Sequence, residues 1–486
     1  MKIRYIFTFL TVSALLAACD FLDEYDPNSV TVGNYYTSEE DIVATLNGVY
    51  ASLAQSYVAN NNHYFTDVRA NTTVVTSSGA NSGIPYQFYN YTLSEENVYV
   101  YNRYTQLYRI ISRANTLFAH LGDVSYSASS ARDTYEAEAR FLRALAYYWL
   151  VTEWGDVPLV LKVLESAEEV RANNYRRPKA EIYQAIFDDL KYVTESPLAD
   201  VQPASACGKV SKAAAWALWG KALLQQACDE DFVGSKSVLL GQAIEKLTAT
   251  WNLRKFGELS SIPYSAIWNL STQKSCAENI FQINYIQGNA DLGSVWNYLY
   301  GPEGAGVTSQ KKGEMQNVTT QTVYDSFETG DVRRSFLRST NRAGQTYYHT
   351  MKYADLECGA NGYGGNNWIV LRYADVALML AEAYYWSEEE TPAKTWLNKV
   401  RERAGLGDWS GSDLRQGIYD ERLHEFMQEG LRWQDLLRMY DRMEMLRHFS
   451  AINSNFSQKD LLLPIPYNER ILNPEGLYQN PGYGGN

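Results

Sequence analysis

The sequence predicts an all-α fold, an array of helical hairpins with a large irregular region laid against it. Three observations carry that prediction. Apolar residues recur at helical spacing in segment after segment. Short links bearing Gly, Pro or Ser separate these segments. Two long stretches, about 59–98 and 260–368, lose the periodicity and fill with Asn, Gly, Thr and aromatic residues. At 486 residues the chain is long enough for one large domain or two intimate ones.

The chain begins with an address. Lys2 and Arg4 form a basic region, and Ile6 to Leu16 is an apolar run too short to span a bilayer. Leu16-Ala17-Ala18-Cys19 then reads as a bacterial lipobox. Residues 1–18 are expected to be a lipoprotein signal peptide and the Cys19 thiol to carry the lipid, which leaves 19–486 anchored to a membrane and not spanning it.

The elements follow in order. Glu39 to Ala54 places Ile42, Leu46, Val49 and Leu53 on one helical face. After the first irregular stretch, Tyr101 to Leu121 regains the period. Glu138 onward is apolar on nearly every side, as a helix enclosed by others must be. Gly155 and Pro158 stop it, and Glu136, Arg140 and Arg143 share one face. Lys179 to Val193 is amphipathic, and Ser211 is placed to N-cap a helix whose Ala213, Ala214, Ala217 and Gly220 let a neighbour come close. Ser237 to Leu247 is amphipathic again. Glu278 to Ile286 alternates and reads as a short strand. Helices return at Ile369 to Trp386, Ala393 to Ala404, Asp413 to Gln428 and Arg432 to Tyr440, and prolines exclude helix at 464–466. Paired helices with small residues at their contacts are the pattern of tetratricopeptide-type arrays, although no sharp repeat period stands out.

Several segments, in this order and spacing, resemble the SusD/RagB family of surface nutrient-binding lipoproteins. They are the lipobox with its acidic start, RALAYYWLVTEWGDVPLV at 143–160, GKVSKAAAWALWGKALL at 208–224 and LRYADVALMLAEAYYW at 371–386. LNKVRERAGL at 397–406, ERLHEFMQEGLRWQDLLRM at 421–439, LLPIPYNERILNP at 462–474 and QNPGY at 479–483 complete the set, and Asp331 to Arg334 lies where the family has a DxR segment. The resemblance implies a tetratricopeptide-like scaffold. It implies a place on the cell outer membrane, lipid-anchored and facing the exterior. It implies a SusC-like TonB-dependent transporter as partner. It also implies an oligosaccharide or polysaccharide ligand held by aromatic and polar loop residues, with peptide cargo as the alternative.

Composition agrees with a non-nucleic-acid role. Net charge is −13 with no basic block. The chain carries 38 Tyr and 12 Trp against 16 Phe, and such rings suit sugar faces as well as wet interfaces. Charges on the motif-rich helices, Arg372, Asp375 and Glu382 with Glu421, Glu425 and Glu429, are expected to be helix-to-helix ion pairs and not ligand residues. The glycan candidates lie in the irregular stretches. Trp296, Tyr298 and Tyr300 alternate and would share one face of an extended segment. Tyr86, Phe88 and Tyr89 add rings, and Asp67, Arg69, Asn284 and Asn297 are candidate hydroxyl partners. No HExxH, GxSxG or phosphate-cradling loop appears, and no cofactor or metal ligand set is expected. Plentiful acids keep an α/α-type glycoside hydrolase as the enzymatic alternative. Cys207, Cys228, Cys276 and Cys358 show no metal spacing, and a Cys207–Cys228 disulfide or free thiols are both open.

Overall fold

The computed structural model describes residues 35–75, 83–301, 318–342, 344–358 and 361–484. Cys19 and the signal segment lie outside the described residues. Eleven helices of eight or more residues among them organise the fold. They are α1 Glu39–Leu53, α2 Val98–His120, α3 Ala131–Trp154, α4 Lys179–Glu195, α5 Lys212–Ala227 and α6 Lys236–Asn252. After a long insertion come α7 Tyr373–Trp386, α8 Glu390–Arg403, α9 Leu414–Phe426, α10 Arg432–Met439 and α11 Arg442–Ile452.

Each helix packs on the next, α1 on α2, α2 on α3 and so on to α8, and α6 meets α7 directly although residues 253–372 intervene. The insertion is therefore an excursion from one continuous array. This is the tetratricopeptide-like scaffold the sequence predicts, built from neighbour-to-neighbour contacts. The central helix α3 is buried from Glu136 to Trp154 apart from Arg140. Gly155 at φ 76° ends it as expected. Arg140 pairs with Glu136 at 2.7 Å, and Arg140 and Arg143 both reach Asp189 on α4, at 2.8 and 2.7 Å. Ser211 caps α5 through Ala214 N–H, and Gly220 lets Leu247 of α6 approach so closely that a Cβ there would lie 2.5 Å from its Cγ.

Two segments differ from expectation. Ile369 to Arg372 was read into a helix, but Trp368–Arg372 is strand β5, paired antiparallel with β1 Asn279–Ile283. A wholly apolar run fits a strand buried on both faces as well as a helix, and pairing with β1 decides between them. The insertion also carries a three-stranded sheet in the order β2 Val318–Thr319, β4 Gln345–Thr350, β3 Leu337–Arg342. Val74 of the first irregular stretch bridges to Val318, and Thr319 Oγ1 donates to Thr72 O at 2.7 Å. The two irregular regions are thus one layer on the array.

The charged residues of the motif-rich helices pair as expected. Arg372 binds Glu278, Glu425 and Glu429; Asp375 binds Lys221 and Arg422; Glu382 binds Arg438. Arg333 of the DxR segment pairs with Asp331, Glu421 and Glu425. Cys207, Cys228, Cys276 and Cys358 are free thiols.

Candidate functional site

Trp296, Asn297 and Tyr300 do not line an open face. The segment Trp296–Leu299 is a single helical turn, so positions four apart point the same way and the expected alternation is lost. Trp296 and Tyr300 are 2% and 4% exposed. The Trp296 ring lies 5.1 Å from Tyr285, 5.2 Å from Tyr353 and 6.3 Å from Trp368. Tyr300 lies against Tyr353, and its hydroxyl meets His63 Nδ1 at 3.2 Å. Asn297 exchanges hydrogen bonds with the Asp355 backbone, both at 2.9 Å. The Tyr298 side chain lies outside the described residues. These rings form the seam between insertion and scaffold, and in this conformation they offer no face to a ligand. The reason is long-range: Tyr353 and Trp368 arrive from far along the chain and close over them.

Asp67 and Arg69 are buried as well. They sit on and after the π-helical turn Tyr64–Val68. Asp67 Oδ2 accepts the Gly430 N–H at 3.1 Å, and burial pushes its carboxyl up to about 7. Arg69 donates to Asp460 O at 2.8 Å and lies 4.2 Å over the Trp433 ring. Asn284 holds the Cys207 carbonyl and the Asn367 amide. All these candidates tie loops to scaffold.

Tyr86 and Tyr89 are different. They lie three apart on the helical turn Tyr86–Tyr89, half-exposed, with centroids 5.7 Å apart and planes at 41°. Phe88 between them points inward, fully buried against Phe65 at 5.0 Å, and fixes the turn. Asn97 Nδ2 holds the turn through Ile84 O and Gln87 Oε1, at 3.0 and 2.9 Å. Burial raises the Tyr89 hydroxyl pKa, and the neighbouring Tyr86 and Tyr347 hydroxyls add to the rise. Tyr89 therefore stays a neutral donor and acceptor at physiological pH. Tyr347, half-exposed on β4, donates its hydroxyl to Gln345 Oε1 at 2.9 Å. Beside Tyr89, Asn90 accepts from Asn453 and Asn455, both at 3.1 Å. Sequence reasoning missed Tyr347; the signal was the run of strand-forming residues Thr346, Tyr347 and Tyr348.

Among the described residues, the carboxylates of the motif-rich helices do not line an open cleft. Glu278, Glu421, Glu425 and Glu429 are buried and held by arginines or lysine. Asp67 and Glu429 share a cavity of about 10 Å³, room for one water and no sugar. In the larger cleft near Asp231, burial is outweighed by Arg442 and Lys179, so that carboxyl lies below its usual range, opposite to what a general acid needs.

Comparison with known proteins fits this architecture. Residues 303–483 match the SusD family model, and residues 20–224 match a model described as starch-binding associating with outer membrane. SusD-like proteins P2 and P25 of Formosa agariphila are 27% and 26% identical, with 99% of this chain and 100% of each relative aligned. Among solved structures, surface glycan-binding protein A from Bacteroides thetaiotaomicron in complex with laminarihexaose superposes with a TM-score of 0.77 at 20% identity, over 91% of this chain and 99% of that one. A SusD superfamily protein from Parabacteroides distasonis gives 0.77 at 22%, over 92% and 99%. At such identities the structures speak to the fold, and the family models and full-length relatives speak to descent: the chain belongs to the SusD-like family.

Proposed function

We propose that this protein is a non-catalytic glycan-binding lipoprotein, tethered through Cys19 to the outer membrane and facing the exterior. It captures oligosaccharide on Tyr86 and Tyr89 and delivers it to a SusC-like TonB-dependent transporter. The single observation that carries the reading is the Tyr86–Tyr89 ring pair on the loop layer, half-exposed and held from behind by buried Phe88 and Asn97. Ring faces take sugar C–H faces, while the hydroxyls and Asn90 supply hydrogen bonds at the rim. The starch-binding family model and the laminarihexaose-bound structural neighbour support the ligand class. Because the platform is shallow, affinity falls in about the micromolar-to-millimolar range.

The test is retardation on a panel of native gels cast with starch, laminarin and other neutral polysaccharides. The wild-type chain is expected to be retarded on at least one, and Tyr86→Ala with Tyr89→Ala to run freely. Unretarded wild type on every gel, or a double variant retarded as strongly, overturns the site. Steady release of new reducing ends from any bound polysaccharide overturns the non-catalytic reading. Delivery predicts co-purification of a transporter from the native outer membrane; a chain that comes out alone under mild detergent counts against that step.

A further inference from the structure

A wide opening on the array side is lined by none of Tyr86, Tyr89 and Tyr347. It lies where α4 begins, α5 ends and α11 begins, and the C-terminal segment crosses their tips. Two chambers of about 290 and 640 Å³ share Lys179, Tyr183, Asp229 and Asp231 from the scaffold and Asn480 from the crossing segment. Together they reach the size of small-ligand pockets, against about 30 and 10 Å³ for the cavities beside the ring seam.

Two buried polar side chains face this space without a partner. Tyr183 is 3% exposed and borders both chambers, and its hydroxyl bonds no protein atom among the described residues. Gln226, 7% exposed, borders the wider chamber, and its side-chain amide likewise bonds none. Both groups open onto the cleft, so both are available to an occupant. The cleft carboxylates, in contrast, are already matched. Lys179 Nζ lies 2.6 Å from Asp229 and 3.3 Å from Asp231, and Arg442 lies 3.0 Å from Asp231. A charged occupant would have to break these pairs. An uncharged one rich in hydroxyls would use the spare lone pairs of the carboxylates and the Tyr183 and Gln226 groups. The Tyr478 ring, backed by Arg176 at 4.3 Å, supplies a flat apolar wall.

We propose that this cleft is a second saccharide site, taking a short neutral oligosaccharide by its hydroxyls, on the helical scaffold and away from the tyrosine platform. It goes beyond the platform reading and stands or falls separately from it. The test is isothermal titration of the full chain with laminarihexaose, maltohexaose and cellohexaose. Four forms are compared: wild type, the platform variant Tyr86→Ala/Tyr89→Ala, the cleft variant Tyr183→Phe/Gln226→Leu, and Ala180→Trp. The last adds bulk at an exposed helical position on the cleft wall and leaves the core untouched.

Wild type is expected to take more than one equivalent of at least one hexasaccharide. The platform variant should retain one class of sites, and adding either cleft substitution should weaken that class by about tenfold or more. Complete loss of binding in the platform variant overturns the cleft and keeps the platform. Residual binding indifferent to both cleft substitutions overturns the cleft. Unchanged binding in the platform variant, lost with the cleft substitutions, overturns the platform and keeps the cleft. Wild type that binds none of the three overturns both.

Discussion

Arg372 is the most informative single residue for separating scaffold from site. Its guanidinium is 2% exposed and lies 2.9 Å from Glu278, 2.5 Å from Glu425 and 2.9 Å from Glu429. Replacing it with methionine keeps the stem and removes the charge. The three carboxylates then share only Arg403, Arg333 and Lys352. Removing one partner of a buried pair costs about 3–5 kcal/mol, because the charges left behind are desolvated and under-paired. The pH dependence has a definite sign. Burial alone would raise the Glu425 pKa, but Arg403, Arg372 and Arg333 together hold it well below its ordinary 4.5. A carboxyl depressed in the folded state adds stability above its unfolded pKa, and that stability drains away as pH falls below about 4.5. Arg372→Met should therefore lower stability at neutral pH and flatten the acid limb. Urea unfolding from pH 3 to 8, beside glycan retardation of the folded variant, reads both. Stability within about 0.5 kcal/mol of wild type, or binding lost at full stability, would refute the assignment of these residues to the scaffold.

Other outcomes follow from the same geometry. The Asp67 carboxyl, raised by burial to about 7, binds a proton in the folded chain that the unfolded chain releases near 3.8. Stability should therefore fall as pH rises from about 4 to 7, and Asp67→Asn, whose oxygen still accepts the Gly430 N–H, should abolish up to about 4 kcal/mol of that fall in urea titrations. Trp296→Ala opens the ring seam and should cost about 3–5 kcal/mol in the same assay while the folded protein still binds glycan. Gly430 at φ 82° has Asn62 Nδ2 only 2.0 Å from where a Cβ would stand, so Gly430→Ala should cost about 1–3 kcal/mol, seen as a lowered urea midpoint.

Much of the array was legible because its signals are local. Apolar spacing located α1, α3 and α4, Ser211 and Gly155 set two ends, and Arg372 with Glu421, Glu425 and Glu429 had to find partners once they fell on buried faces. The loop layer was not legible in the same way. Trp296, Tyr298 and Tyr300 alternate in sequence, but period two means a shared face only if the backbone is extended, and one helical turn undoes it. The burial of Trp296 and Tyr300 rests on Tyr353 and Trp368, contacts that no window around residue 296 contains. The helix α11 was missed although Met445 and Phe449, four apart, are its buried pair, because charged neighbours diluted the stripe.

This division has a functional consequence. The array is continuous across the insertion, since α6 packs on α7. The loop layer is in turn stitched to itself, through Val74 with Val318 and Thr72 with Thr319. Tyr86, Tyr89 and Tyr347 lie in this layer, with none of the three buried. Exposed rings on a braced layer can be exchanged for others at a cost of tenths of a kcal/mol to the fold, whereas Trp296 or Arg372 cannot. Under the proposed function, Tyr86 and Tyr89 are the positions expected to set ligand choice. Substituting them should change which glycan retards the protein and leave its urea midpoint where it was.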